Sequence, residues 1–367
     1  MTRLLIVDDS PLMRRLLGTV FAAEGDFEIA FARNGVEALE QLGEFKPDVV
    51  TLDIHMPEMD GLTCLDRIML ERPCPVVMVS SLTEEGASVT LEALNLGAVD
   101  FIPKPKRAVS LEIETLAPLL IEKVRAASRA RLPGSLRLAE RVRLKSGLTR
   151  KPAGVTRRSF RPYREVPAAR SATPSARGLM LVGASTGGPP ALDAVLSGLP
   201  SDFPVPVVVA QHMPGSFTGP LARRLDKLCA LDVVEVTQPM PLEAGHVYIG
   251  KGDADVIIGV RPSGPIVMAA PSLPEHRWHP SVDRLVDSAM EHFAPAHLIG
   301  VLMTGMGSDG ADAMTRLREL GGRTIAEAEE SAVVWGMPGE LVRRGGAEIV
   351  APLEQIPRRI IDMIGRA

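Results

Sequence analysis

Three short stretches in the second half of the chain each carry one residue type of an acyl-transfer site. Ser185 stands in Gly183-Ala184-Ser185-Thr186-Gly187, a G-x-S-x-G pattern that lifts a serine onto a sharp strand-to-helix turn. His212 follows the apolar run PVPVVVA (204–210), and Asp309 sits in TGMGSDG (304–310) behind HLIGVLM (297–303). A serine hydroxyl is a weak nucleophile until an imidazole takes its proton, and the imidazole needs a carboxylate to fix its tautomer. The amides of Thr186 and of the glycine-flanked Met306 are candidate oxyanion donors. Taken singly, Asp309 reads more readily as a helix N-cap, and Ser185 as a cap of its own helix. A phosphate cradle is the competing reading of the glycine-rich turn. Against it, G-x-G-x-x-G is missing and Asp193 comes only ten residues past the turn's start, short of the roughly twenty that a ribose-binding acid requires. The order Ser, His, Asp also differs from that of the α/β-hydrolase fold. The H-x-x-H in EHRWHP (275–280) has no Glu between its histidines and no third ligand, so it reads as structural or substrate-lining.

A second set of chemical residues lies near the N-terminus: Asp8, Asp9, Asp53, Ser80 and Lys104. Three carboxylates brought together repel one another unless a cation intervenes, and hard oxygen ligands with room for water suit Mg²⁺. An ammonium and a hydroxyl alongside would stabilise phosphoryl transfer onto one of the carboxylates. Asp53, alone on its own strand, is the natural acceptor.

Both sets need elements that converge on them. RLLIV (3–7), DVVTL (48–52), PVVMV (75–79) and AVDFI (98–102) are short apolar runs separated by helical stripes. The first helix has Ser10 as N-cap and Pro11 as its first residue. From Gly178 onward the alternation repeats. Such a pattern predicts βαβ units and a parallel sheet buried on both faces, with ligand sites beyond the carboxyl ends of the strands. Each candidate residue falls at such an end.

Length and composition bound the rest. A chain of 367 residues predicts two or three domains, with cores of Val, Leu, Ile, Met and Ala because 46% is apolar and only 4% aromatic. No apolar run reaches the roughly 18 residues of a membrane helix, and MTRLLIVDDS is no signal peptide. Three scattered cysteines predict thiols in a reducing cytosol, hence a cytoplasmic protein. The net charge of −4 hides a segregation: residues 123–177 hold sixteen Lys/Arg against two Glu, a balance of +14 that leaves −18 on the remainder. That Pro-rich tract reads as a linker; the alternative is a grip on nucleic acid or acidic membrane.

IVDDS, ARNGVEAL (32–39), TLDIHMPEMDGL (51–62) and FIPKP (101–105) resemble the receiver domain of two-component response regulators. VGASTGGPPAL, VVVAQHMPGSFT, HPSVDRL (279–285), LMTGMGSDGADAM (302–314) and EESAVVWGMP (329–338) resemble the catalytic domain of the chemotaxis protein-glutamate methylesterases, the CheB family. The resemblance implies an α/β chain in three parts. They are an N-terminal (βα)5 flavodoxin-like receiver over 1–122, a basic Pro/Arg-rich linker over 123–177, and a C-terminal doubly wound, mainly parallel α/β/α methylesterase domain over 178–367. It implies phosphorylation of Asp53 by the histidine kinase of a chemotaxis system, with Asp8, Asp9 and Asp53 on Mg²⁺. Ser80 and Lys104 take switch positions, and Phe101 is the switch aromatic. Ser185 becomes the nucleophile, His212 the general base and then acid, and Asp309 the orienting carboxylate, with the Thr186 and Met306 amides as oxyanion hole. The implied substrates are glutamyl methyl esters, and glutamines, of methyl-accepting chemoreceptors, with no cofactor for the esterase step, no nucleic acid and no membrane insertion. Two alternatives stand beside this: a paralogous esterase with another target, and a regulator with a nucleic-acid-binding output. The chain departs from the family at Gly250-Lys251-Gly252, where an alanine-proline-glycine turn is expected, and in its longer, more basic linker.

Overall fold

In the first half the apolar runs become five strands: β1 (Thr2–Val7), β2 (Phe27–Ala32), β3 (Val49–Asp53), β4 (Val76–Ser80) and β5 (Asp100–Pro103). The computed structural model describes residues 1–80, 83–104, 109–132 and 178–365, with the backbone alone for 109–115. Most of the predicted linker, 133–177, and Pro105 of FIPKP lie outside the described residues. The five strands pair in parallel in the order β2-β1-β3-β4-β5. Helices α1 (Pro11–Ala23), α2 (Gly35–Glu44), α3 (Gly61–Glu71), α4 (Glu84–Leu96) and α5 (Val109–Ser128) connect or follow them. Ser10, Asn34, Asp60 and Thr83 cap the first four, each side chain accepting from a backbone amide three residues on. β3 and β4 are buried at every position, as a sheet covered on both faces requires. Helix α5 runs past residue 122, so Lys123 and Arg125 at the start of the predicted linker are helical.

The second half is a seven-stranded sheet in the order β15-β14-β13-β6-β7-β10-β8, with every pair parallel. Its central strands are β6 (Leu179–Ala184), β7 (Val207–Gln211) and β13 (Leu298–Leu302); β14 (Arg323–Glu327) and β15 (Ile349–Ala351) extend one side, and β10 (His246–Ile249) and β8 (Asp232–Glu235) the other. The antiparallel component is separate: β11 (Asp255–Arg261) and β12 (Gly264–Ala270) form a hairpin, and β9 (Met240–Pro241) pairs with β12. Helices α6 (Gly188–Leu196), α7 (Gly215–Leu228), α8 (Val282–His292), α9 (Ala311–Glu319), α10 (Met337–Arg343) and α11 (Ile356–Ile364) surround the large sheet. Chain order runs outward from β6 through β7 on one side and from β13 through β15 on the other. The connections after β6 and β13 therefore diverge, which opens a crevice between the carboxyl ends of those two strands. Ser185 and the loop carrying Asp309 border that crevice, and His212 follows the strand next to β6. Among the described residues, no helix is long and apolar enough to cross a membrane.

Candidate active site and acidic pocket

Ser185 is the first residue beyond β6. Its amide donates to Thr304 O at 3.0 Å, and its carbonyl accepts from Gly188 N at 2.8 Å and from Gln211 Nε2 at 3.0 Å. The turn is thus tied to both neighbouring strand ends. Gly305 has to be glycine, because a Cβ there would lie 2.8 Å from Ser185 Cβ. Neither the Thr186 nor the Met306 amide is engaged with a main-chain carbonyl among the described residues, which leaves both for an oxyanion.

His212 is held by its amide on Ala184 O at 3.0 Å, and its Nε2 meets Asp309 Oδ2 at 2.7 Å. Its other ring nitrogen, Nδ1, is buried and has no hydrogen-bond partner among the described residues. No hydrogen bond joins Ser185 Oγ to His212 in this structure, so two of the three predicted residues are bonded and the third adjoins them through main chain. Trp278 stacks on the His212 ring, centroids 5.7 Å apart and planes 12° from parallel.

Asp309 does not cap the helix that follows it; Gly310 holds that position. Its carboxylate instead lies on the N-terminus of α8. Oδ1 accepts from Ser281 Oγ at 3.0 Å and Asp283 N at 3.1 Å, and Oδ2 from Val282 N at 2.7 Å. Burial pushes this carboxyl up, but the bond to His212, its positive charge and the two amides outweigh burial and hold Asp309 down at about 2. The stretch HPSVDRL supplies the brace. Buried Asp255 accepts from His279 Nδ1 at 2.8 Å, Ser281 N at 2.8 Å and Arg284 Nη1 at 2.7 Å, and His276 Nδ1 lies 3.3 Å from Ser281 Oγ. Both histidines of H-x-x-H are therefore structural supports of the α8 N-terminus. Trp278, Ser281, Gln211 and Thr304 escaped the reading of single residues. The signal for Trp278 was its rarity, one of two tryptophans in the chain. The unexpected Gly250-Lys251-Gly252 turn packs under the His212 loop: a Cβ on Gly252 would lie 2.6 Å from Gly215 N.

In the first half, oxygens of Asp8, Asp9 and Asp53 lie within 4.8 Å of one another, Asp8 and Asp53 buried and Asp9 exposed. Lys104 Nζ stands 2.7 Å from Asp53 Oδ2 and 3.2 Å from Asp8 Oδ2. Burial pushes Asp8 up; Lys104 opposes this and repulsion from Asp53 adds to it, and the net is a raised pKa. For Lys104 burial works downward, yet the bonds and charges of Asp53 and Asp8 leave it raised. Three carboxylates against one ammonium leave two negative charges uncompensated, and with an all-oxygen donor set this fits a hard divalent cation. The Ser80 hydroxyl accepts from Thr90 Oγ1 at 2.7 Å and lies 3.4 Å from Gly86 O, tying the end of β4 to α4.

Phe101 and its neighbours face the second half of the chain. Phe101 is buried and stacks on Phe217 of α7 with centroids 4.3 Å apart. Asp100, paired with Lys123 at 2.8 Å, accepts at Oδ2 from Thr186 Oγ1 at 2.5 Å. Glu122 on α5 pairs with Arg277, whose guanidinium lies 5.1 Å from the Trp278 ring. Arg224 of α7 donates to Leu91 O of α4 at 3.1 Å.

Comparison with known proteins agrees with this architecture. A response regulator receiver domain model matches residues 4–114, and a CheB methylesterase model matches 180–360. The chain is 57% identical over 362 residues to protein-glutamate methylesterase/protein-glutamine glutaminase 2 of Rhodopseudomonas palustris (strain BisB18), covering 99% of this chain and 98% of that protein. It is 55% identical over 370 residues to protein-glutamate methylesterase/protein-glutamine glutaminase 3 of Rhodospirillum rubrum, covering 100% of this chain and 97% of that protein. The crystal structure of the Thermotoga maritima CheB methylesterase catalytic domain matches at 36% identity and TM-score 0.49, covering 51% of this chain and 98% of that one. With a receiver ahead of a CheB methylesterase domain and relatives similar over its whole length, the chain belongs to the protein-glutamate methylesterase/protein-glutamine glutaminase family and is a carboxylic ester hydrolase.

Proposed function

We propose that the chain is a phosphorylation-activated methylesterase, also a glutamine deamidase, acting on methyl-accepting chemoreceptors and phosphorylated by the histidine kinase of their chemotaxis system. The observation that carries the chemistry is the 2.7 Å bond between His212 Nε2 and Asp309 Oδ2, beside a serine on a strand-end turn. With the Nε2 proton directed to Asp309, the unpartnered Nδ1 lone pair is the one that accepts the Ser185 proton. Ser185 Oγ attacks the glutamyl carbonyl as His212 takes its proton, and the resulting oxyanion is met by the Thr186 and Met306 amides. The tetrahedral intermediate collapses, the ester C–O bond breaks, and methanol leaves with the proton from His212. A water attacks the acyl-serine, giving its proton to His212, which returns it to Ser185 Oγ as glutamate is released. With a glutamine substrate, ammonia leaves in place of methanol.

Regulation is read from three contacts: Asp100 with Thr186, Phe101 with Phe217 of α7, and Glu122 with Arg277, the neighbour of Trp278. Asp8, Asp9 and Asp53 would hold Mg²⁺, which supplies charge neutralisation for a phosphoryl group arriving on Asp53. Phosphorylation would then draw Lys104 and the end of β5 towards the new charge and release the cleft. Methanol release from methylated receptor membranes, with wild type and Ser185→Ala, each with and without a phosphodonor and Mg²⁺, tests both parts. Release that requires Ser185 and rises with phosphodonor supports the reading. Absence of release from wild type under either condition moves the target elsewhere.

A further inference from the structure

Behind the nucleophile lies a carboxylate that the chemistry above does not use. Glu327 closes β14 and is fully buried. Its Oε2 accepts from Thr304 N at 2.8 Å, and its Oε1 from Ser331 Oγ at 2.9 Å. Among the described residues no Lys, Arg or His forms an ion pair with it. The charge acting on it is that of Glu354, in the turn Leu353–Gln355, and is repulsive. The Trp335 indole donates to its main-chain oxygen at 2.9 Å. A buried carboxylate without a cation is costly, and a glutamine in its place would avoid that cost.

What Glu327 holds is Thr304. The Thr304 carbonyl accepts from Ser185 N at 3.0 Å; its Oγ1 donates to Thr186 O at 2.9 Å and accepts from Val334 N at 3.0 Å. One residue thus joins the main chain of Ser185 and Thr186 to the loop that continues to Met306 and Asp309. Among the described residues, Glu327 is the charged group bonded to that node.

Resting on the reading of Ser185 as nucleophile, we propose that Glu327 is a positioning residue whose ionised carboxylate anchors Thr304 and through it the Ser185–Thr186 main chain. Ser331 lets the carboxyl gain or lose a proton without losing its partners. The Ser331 Oγ lies 3.3 Å from Ala328 O and accepts from Leu353 N at 3.0 Å. With Glu327 ionised, the hydroxyl donates to Oε1; with Oε1 protonated, it accepts that proton and turns its own towards Ala328 O. The bond from Thr304 N persists in both states and is charge-assisted only in the ionised one. Burial, followed by smaller opposing pulls from the Thr304 amide and Ser331 and a push from Glu354, raises this carboxyl to about 7, within the working range of an enzyme.

The test compares full-length wild type, Glu327→Gln and Ser185→Ala across about pH 5.5 to 9. The two readouts are covalent labelling of Ser185 by a fluorophosphonate probe and steady-state methanol release. Glutamine keeps the shape, accepts from Thr304 N and donates to Ser331, but cannot ionise. Expected for Glu327→Gln is a kcat about tenfold below wild type above pH 8 with KM within about twofold. The ratio of the two should close towards one below about pH 6, where wild type is itself protonated. A ratio independent of pH, or a variant equal to wild type throughout, overturns the role given to Glu327. Wild-type labelling no faster than that of Ser185→Ala overturns the reading of Ser185 itself, and the two failures are distinct.

Discussion

The hydroxyl of Thr186, the residue after Ser185, donates a 2.5 Å hydrogen bond to Asp100, the residue before the buried Phe101 of the receiver. The first residue of β5 is thereby bonded to the turn that carries Ser185. Hydrogen bonds to a charged group contribute about 1.5–3 kcal/mol, enough to shift a docked population roughly tenfold or more. Asp100→Ala is therefore expected to raise the esterase rate without phosphodonor by about tenfold and to shrink the further gain on adding one. Methanol release in paired assays measures both. An unchanged basal rate would mean that this bond does not restrain the cleft.

Asp309→Asn keeps the size of the side chain but removes the charge opposite His212 Nε2 and turns one of the two accepting oxygens into a donor. Comparable loss of an orienting carboxylate lowers kcat by a factor on the order of 10⁴. Substrate binding is expected to change little, so KM and kcat measured separately distinguish loss of chemistry from loss of fold.

The same residue sets an acid limit on stability. Asp309 is held at about 2 against an ordinary 3.8. A depressed carboxylate stabilises the fold above its unfolded pKa, and that contribution is lost as pH falls from about 4 through 2. It amounts to about 2 kcal/mol. Denaturant midpoints of wild type and Asp309→Asn should converge as pH drops through that window and separate above it.

Glu327 acts with the opposite sign. Its carboxyl is raised from 4.5 to about 7, so the folded state binds the extra proton between those values and stability declines as pH rises through the window. Above pH 7 the full penalty stands, on the order of 3 kcal/mol. Glu327→Gln should consequently melt higher than wild type at pH 8 while reacting more slowly. Equal melting temperatures at pH 8 would show that the carboxylate is not uncompensated.

Removal of the proposed phosphoacceptor in the acidic pocket, Asp53→Asn, should abolish the response to phosphodonor and leave the basal esterase rate within about twofold. Chelation of divalent cations should do the same to wild type. Phosphate incorporation followed alongside methanol release separates failure to phosphorylate from failure to transmit.

Much of this was legible in residue types and spacing. Asp8, Asp53, Ser80, Ser185, His212 and Asp309 each follow or close an apolar run, and a parallel sheet brings such positions to one edge whatever its strand order. Local grammar was enough for the cap at Ser10, because a cap depends on the next three residues alone. The sequence by itself therefore determined which strands end in residue types able to do chemistry. The strand order, which places the crevice between β6 and β13, was decided only by tertiary structure, since sheet pairing is non-local. So was the carboxylate of Asp309 resting on the N-terminus of α8 instead of capping its own helix. The bonds Asp100–Thr186 and Glu327–Thr304 join residues 86 and 23 positions apart, and no local periodicity encodes either one. Their partners are chosen by how buried surfaces meet, where an unsatisfied polar atom is costly and the nearest donor is whatever the packed chain brings.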